Sequence, residues 1–218
     1  MSGTRFRQGL RRPPDGQMPM DLTEAILSRR MVRSFTSEPV APAVITGLCD
    51  LARRAPSAGN AQATAFIVLD VPSAVQRYWD TTLPAHRRDA FAFPGLLVAP
   101  VIVLVGVRPA TYVERYAEAD KARTGLGAGE EDWRVPYWWF DAGAAAEHLL
   151  LGAVHEGLGA CLFGLFDHEP AVVSAFGVPD GWRLGAAVAI GHPRADRPGR
   201  SSTRVRRPLE EVVHRNGW

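Results

Sequence analysis

The sequence predicts a domain of mixed helix and strand, with short apolar strands inside a layered core. Two observations carry that class. Four apolar runs, at 66–69, 101–107, 160–163 and 184–190, have the length of strands. The stretches between them carry helical spacing or helix-start signals. The composition agrees with a single domain able to bury a sizeable core. Of 218 residues, 46% are hydrophobic and 22% charged, ordinary for a soluble globular chain.

In chain order, the first helix is announced by Asp21-Leu22-Thr23-Glu24, a capping-box pattern. Ala25, Ile26 and Leu27 continue it toward Arg30. Pro42 can open a second helix as a first-turn residue, and Val44, Ile45, Leu48, Leu51 and Ala52 give it one apolar face. That helix must stop before Pro56. Residues 66–69 make a short strand, and 73–91 make one or two helices broken at Pro84. The run at 101–107 does not alternate, which predicts a central strand covered on both faces.

Residues 108–136 are the least regular part. Tyr112, Val113, Tyr116 and Ala117 fit a helix, and Gly125, Gly127 and Gly129 then loosen the chain before Trp133. This segment is either a lid over a pocket or a plain surface excursion. The longest helix spans 137–155 and is rich in Ala and Gly, so other backbones can come close to it. Gly157 and Gly159 are read as its end. A third strand at 160–163, a helix at 170–176 and a fourth strand at 184–190 follow. Trp218 closes a tail that should dock somewhere, because a tryptophan favours burial.

Charge and cysteine usage exclude several classes. A net charge of +2 is too small to argue for a nucleic-acid partner. No apolar run reaches the roughly 20 residues of a membrane helix, and the N-terminus lacks the apolar core of a secretory signal. Residues 1–18, with Arg5, Arg7, Arg11 and Arg12, are expected to form a flexible basic arm. Cys49 and Cys161 lack a CxxC neighbour and read as free thiols of a cytoplasmic protein. His148 and His155 are spaced about 10 Å along one helix, which does not suit a metal, and none is expected.

Two arginine clusters stand out: Arg29-Arg30-Met31-Val32-Arg33-Ser34-Phe35 and Arg204-Val205-Arg206-Arg207-Pro208-Leu209. Between them lies Ala55-Pro56-Ser57-Ala58-Gly59-Asn60-Ala61-Gln62, a turn of small and amide residues. Guanidinium groups fit phosphate oxygens bidentately and stay charged at any working pH. Cations from both ends of a chain, with a polar turn, suit a phosphate-bearing ligand that carries a polar heterocycle. Tyr112, Tyr116, Trp138 and Trp139 are candidate walls of a substrate slot, with core packing as their alternative use. Asp141, at the start of an apolar helix, reads as a polar anchor.

These motifs, in this order, resemble the nitroreductase family of FMN-dependent NAD(P)H oxidoreductases from about residue 20 to 218. Arg-Arg-x-Val-Arg-x-Phe resembles its opening flavin motif, and Ala-Pro-Ser-x-x-Asn-x-Gln its second. Gly157-Leu158-Gly159-Ala160-Cys161, leading to Leu162-Phe163-Gly164, resembles the strand under the flavin. Ile190-Gly191-His192-Pro193 and Arg-x-Arg-Arg-Pro-Leu-Glu-Glu-Val close the pattern.

The resemblance implies an α+β fold, with a central mainly antiparallel sheet flanked by helices. It also implies an intertwined homodimer with exchanged C-terminal tails, and 19–218 as one FMN-binding domain. By the same resemblance Arg29 contacts the FMN phosphate, Arg33 the N1/O2 edge of the ring, and Arg30 and Met31 contribute nearby. Ser57 and Asn60 line the site from the other subunit, and Gln62 is a further cofactor-binding residue. The backbone of Leu162, Phe163 and Gly164 passes the ring, and Arg204 and Arg206 complete the phosphate grip. Hydride would come from NADH or NADPH and go to a nitroaromatic, quinone or related small acceptor by a ping-pong mechanism. The alternatives are a flavin-dependent dehydrogenase or dehalogenase of one metabolite, and a flavin-binding protein without turnover. Two departures from the family pattern are Met31, where many members have serine, and Ala63-Thr64, where many have Pro-Trp. The first is expected to weaken binding modestly and the second to change local packing.

Overall fold

The computed structural model describes residues 20–195, 199 and 203–218; the basic arm expected at 1–18 lies outside the described residues. Helix α1 (Leu22–Ser28) starts at Asp21, whose side chain accepts the Glu24 backbone N–H at 2.9 Å. The helix stops short of Arg30, whose guanidinium folds back onto the carbonyls of Leu27 and Arg29 at 2.8 and 3.0 Å. Orphan carbonyls at a helix C-terminus attract such a cation. Helix α2 (Pro42–Ala52) opens on Pro42 and buries Ile45, Leu48 and Ala52.

Strand β1 (Thr64–Leu69) leads to α3 (Pro72–Thr82) and α4 (Ala85–Arg88), which part around Pro84. Strand β2 (Val101–Val107) is buried along its whole length. Helix α5 (Ala110–Tyr116) begins the irregular segment, and α6 (Tyr137–His155) follows it. Gly157, at φ +70, turns the chain after α6. Gly159 is the first residue of β3 (Gly159–Gly164), not part of the helix stop. Its role is close approach: a Cβ there would lie 2.9 Å from the Val32 side chain. Helix α7 (Glu169–Phe176) and β4 (Arg183–Gly191) complete the domain.

The strands form one antiparallel sheet in the order β1-β2-β4-β3, so the fold is α+β with helices on both sides. The strand period of two divides β2 between two cores. Val101, Val103, Val105 and Val107 pack with residues of α2 and α6, whereas Ile102 and Leu104 pack with residues of α3 and α7. Edge strand β3 is covered on its outer side by the chain after α1. There Met31 bridges Ala160 in parallel, and the Val32 N–H donates to the Ala160 carbonyl at 2.9 Å. The first arginine motif is thereby stitched to the sheet edge. Among the described residues no helix is long and apolar enough to cross a membrane.

Neither cysteine forms a disulfide, and burial pushes the Cys49 thiol up to about 11, so it stays protonated at neutral pH. The Glu169 carboxylate meets the Arg183 guanidinium at 2.7 and 2.8 Å and accepts the Leu184 N–H at 2.9 Å. The Arg183 hydrogen bonds, foremost, hold it below its ordinary value of 4.5. A carboxyl depressed in the folded state adds stability above its unfolded value and loses it as pH falls through the folded one. Glu169→Gln is therefore expected to cost about 1 kcal/mol at pH 7, after allowing for solvent screening. In urea titrations at a series of pH values the gap to wild type should close progressively below 4.5. A pH-independent gap would show that the pair is not the cause.

Candidate flavin site

β3 and the chain after α1 together build a cavity of about 360 Å³. Arg33, Leu162, Phe163 and Gly164, four of the residues singled out by motif, all line it. The other walls are mostly aromatic or apolar, with Tyr78 and Trp79 from α3, and Phe91 and Phe93 from the loop after α4; Thr82 and His168 add polar groups. Trp79 and Phe163 stack at 14°, with centroids 6.0 Å apart. Arg33 lies over the Phe93 ring at 5.1 Å and donates to the Met31 carbonyl at 3.1 Å.

The edge of β3 presents its backbone groups with a period of two. Ala160 turns its carbonyl outward to Val32, and Leu162 turns its N–H outward to the Met31 Sδ at 3.4 Å. Gly164 is the next outward position, and it lies in the cavity wall. The sulfur of Met31 therefore occupies a backbone donor, a role that no local pattern signals. Phe166, at φ +47 and 85% exposed, hangs its ring over Gly164. Trp79, Phe91, Phe93 and Phe166 were not among the residues singled out from sequence. Their convergence depends on α3, the loop after α4 and the chain leaving β3 meeting around one cavity.

Arg29 points elsewhere, to α6. Its Nε lies 3.0 Å from a Glu147 carboxylate oxygen, close enough for an ion pair but out of line for a hydrogen bond. The turn at 57–62 sits at the start of the same helix. Asp141, one turn into α6, accepts the Ala58 N–H at 2.9 Å and the Tyr112 hydroxyl at 2.6 Å. Asp141 and Glu147 are six positions apart, about 9 Å along the helix axis. Helix α6 thus carries both the turn and Arg29. Ser57 Oγ accepts the Gln62 N–H at 3.0 Å, while the Asn60 and Gln62 side chains face solvent.

The remaining candidates separate. Tyr112 and Trp138 are buried core residues packed with Trp133. Burial, foremost, and the bond to Asp141 push the Tyr112 hydroxyl far up, so it remains a donor. Tyr116 packs edge-on against Trp133, and Trp139 covers Gly185. The glycine-loosened segment is fastened by the Trp133 Nε1–H, which donates to the Leu126 carbonyl at 2.9 Å. Arg204 and Arg206 lie on an exposed tail and make no hydrogen bond or ion pair with the described residues. His148 Nδ1 lies 3.2 Å from the Leu51 carbonyl, and no cluster suited to a metal occurs among the described residues.

The family model for the nitroreductase family matches residues 26–192, from α1 through β4. The chain belongs to the nitroreductase family. This nitroreductase-family chain is 27% identical to an NADH dehydrogenase of Thermus thermophilus over 208 residues, covering 89% of this chain and 95% of that protein. A nitroreductase family protein from Streptococcus pneumoniae shares the fold with a TM-score of 0.70 at 19% identity. That match covers 89% of this chain and 100% of that one. A BluB-like flavoprotein from Clostridium difficile aligns with a TM-score of 0.67 at 22% identity, over 89% of this chain and 98% of that one. At such identities the two solved structures speak for the fold.

Proposed function

We propose that this nitroreductase-family protein is an FMN-dependent oxidoreductase. It takes hydride from NADH or NADPH and passes it to a nitroaromatic, quinone or related small acceptor in a ping-pong cycle. The observation that carries this reading is the shared cavity of Arg33 with Leu162, Phe163 and Gly164. The lining fits a flat heterocycle with a polar edge. It offers stacked aromatic rings, one guanidinium at the rim and an outward backbone position at Gly164. Family membership and the name of the Thermus relative support the hydride chemistry. The name of the Clostridium difficile neighbour supports the flavin.

Bound in this site, FMN would supply two-electron transfer between nicotinamide and acceptor. Arg33 would be a fixed cation beside the pyrimidine edge, where negative charge accumulates. Gly164 would offer its N–H to the ring, since Met31 Sδ holds that of Leu162. Arg29, Arg204 and Arg206 would hold the phosphate, with Arg30 and Met31 shaping the strand between. Ser57, Asn60 and Gln62 would reach the flavin of a partner subunit.

A homodimer with exchanged tails accompanies this reading. Leu22, Ile26 and Leu27 of α1 and Phe140 of α6 are exposed, as are Val205, Leu209 and Trp218 of the tail. Apolar surface on both the body and the tail fits mutual coverage by two copies. Sedimentation velocity should return twice the chain mass, and a monomer at micromolar concentration would count against the exchanged tail. The decisive experiment for the function is reconstitution. Protein incubated with FMN and freed of excess should keep a flavin absorption spectrum, which NADH or NADPH should bleach without oxygen. A colourless protein would overturn the reading.

A further inference from the structure

The turn at 57–62 passes through left-handed backbone at three positions. Gly59, Asn60 and Gln62 have φ of +61, +57 and +54. Glycine and asparagine enter that region readily, whereas glutamine does not, and the Gln62 geometry persists only where surrounding structure over-determines it. Here the surroundings are two side chains from distant parts of the chain. Asp141 Oδ2 accepts the Ala58 N–H at 2.9 Å, and Arg115 Nε donates to the Gly59 carbonyl at 2.8 Å. Each is itself braced. Tyr112 donates to the same Asp141 oxygen at 2.6 Å, and Asp120 grips both terminal nitrogens of Arg115 at 2.8 Å. The Tyr116 ring closes the underside, where a Cβ on Gly59 would lie 2.7 Å from it.

We propose that Asp141 and Arg115 are positioning residues for the flavin site, clamping the turn so that Ser57 and Asn60 are presented in a fixed geometry. The proposal rests on the reading of this protein as an FMN oxidoreductase. It assigns a role to the segment after β2, which carries Arg115, Tyr116 and Asp120. That segment acts as a brace on the turn. Neither Asp141 nor Arg115 contacts the ligand; both act through the backbone of Ala58 and Gly59. A turn released from the clamp must order itself when it binds, and that ordering weakens affinity.

The test is FMN titration, followed by flavin fluorescence, on Asp141→Ala, Asp141→Asn, Arg115→Met and Arg108→Met, with melting temperatures beside it. Arg108→Met is the control, because its guanidinium pairs with Thr111 and Glu114 on α5 and does not touch the turn. Asp141→Ala is expected to raise the FMN dissociation constant about 10-fold, and Arg115→Met about 5-fold, through lost preorganisation. Asp141→Asn should restore affinity to within about threefold of wild type, since one amide oxygen can still accept both donors. Arg108→Met should match wild type.

Lower melting temperatures with unchanged FMN affinity in both Asp141→Ala and Arg115→Met would overturn the proposal, leaving these residues a purely structural role. Should Asp141→Ala fail to fold, Arg115→Met against Arg108→Met decides. Wild-type protein that takes up no FMN would sink the functional reading and this inference with it. Wild-type binding with unaltered variants would sink the inference alone.

Discussion

Arg33→Met is expected to weaken FMN binding by roughly 10- to 100-fold, the loss of a charge-assisted hydrogen bond worth about 1.5–3 kcal/mol. Methionine keeps an apolar stem over Phe93, which Arg33 covers at 5.1 Å, and removes the cation. The bond to the Met31 carbonyl goes too, at 3.1 Å on a half-buried side chain, and it contributes about 1 kcal/mol of stability. Arg33→Lys should be intermediate. It keeps the charge but loses the planar fork. Fluorescence titration with FMN measures all three proteins. An Arg33→Met dissociation constant within threefold of wild type would show that the cation does not face the ligand.

Leu104→Ala should be the most destabilising of these substitutions, at about 3–5 kcal/mol, the upper part of the range for leucine truncation in a rigid core. Leu104 is fully buried and pairs with Ile67 of β1 on one side and Ala187 of β4 on the other. Strands flank it on both sides and helices cover both faces of the sheet, so the surroundings have little freedom to collapse into the void. Urea denaturation followed by circular dichroism should show a lower midpoint at an unchanged slope. Such a loss is a large share of the total stability of an ordinary domain, about 5–15 kcal/mol. A drop below about 1 kcal/mol would mean that the sheet repacks around the site.

Local chemistry made most elements legible. Asp21 caps α1 by accepting from Glu24, and Pro42 stands in the first turn of α2, as their sequence signals imply. The unalternating run at 101–107 became the buried central strand β2. Asp141 is the polar anchor its odd setting implied, although which groups it anchors was not readable. Gly157 and Gly159 look alike in sequence, yet only Gly157 has the positive φ of a helix stop. Gly159 answers to the nearness of Val32, a contact between residues 127 positions apart. Tyr112 and Tyr116 share the i, i+4 spacing of a helix face; Tyr112 sank into the core and Tyr116 packed over the turn. Spacing identifies a face, but the neighbouring elements decide what covers it.

The sequence by itself determined the helix starts, the apolar strands, the α+β class and the ordered motifs of the nitroreductase family. Each depends on interactions within a few residues, or on residue types that one chemistry requires. Tertiary structure alone decided that aromatic residues from α3 and the following loop meet Arg33 and β3 around one cavity. It alone decided that Met31 sulfur holds the Leu162 N–H, and that Asp141 and Arg115 fix a left-handed turn. These are pairings between distant segments, set by how the helices pack on the sheet, and no local pattern records them.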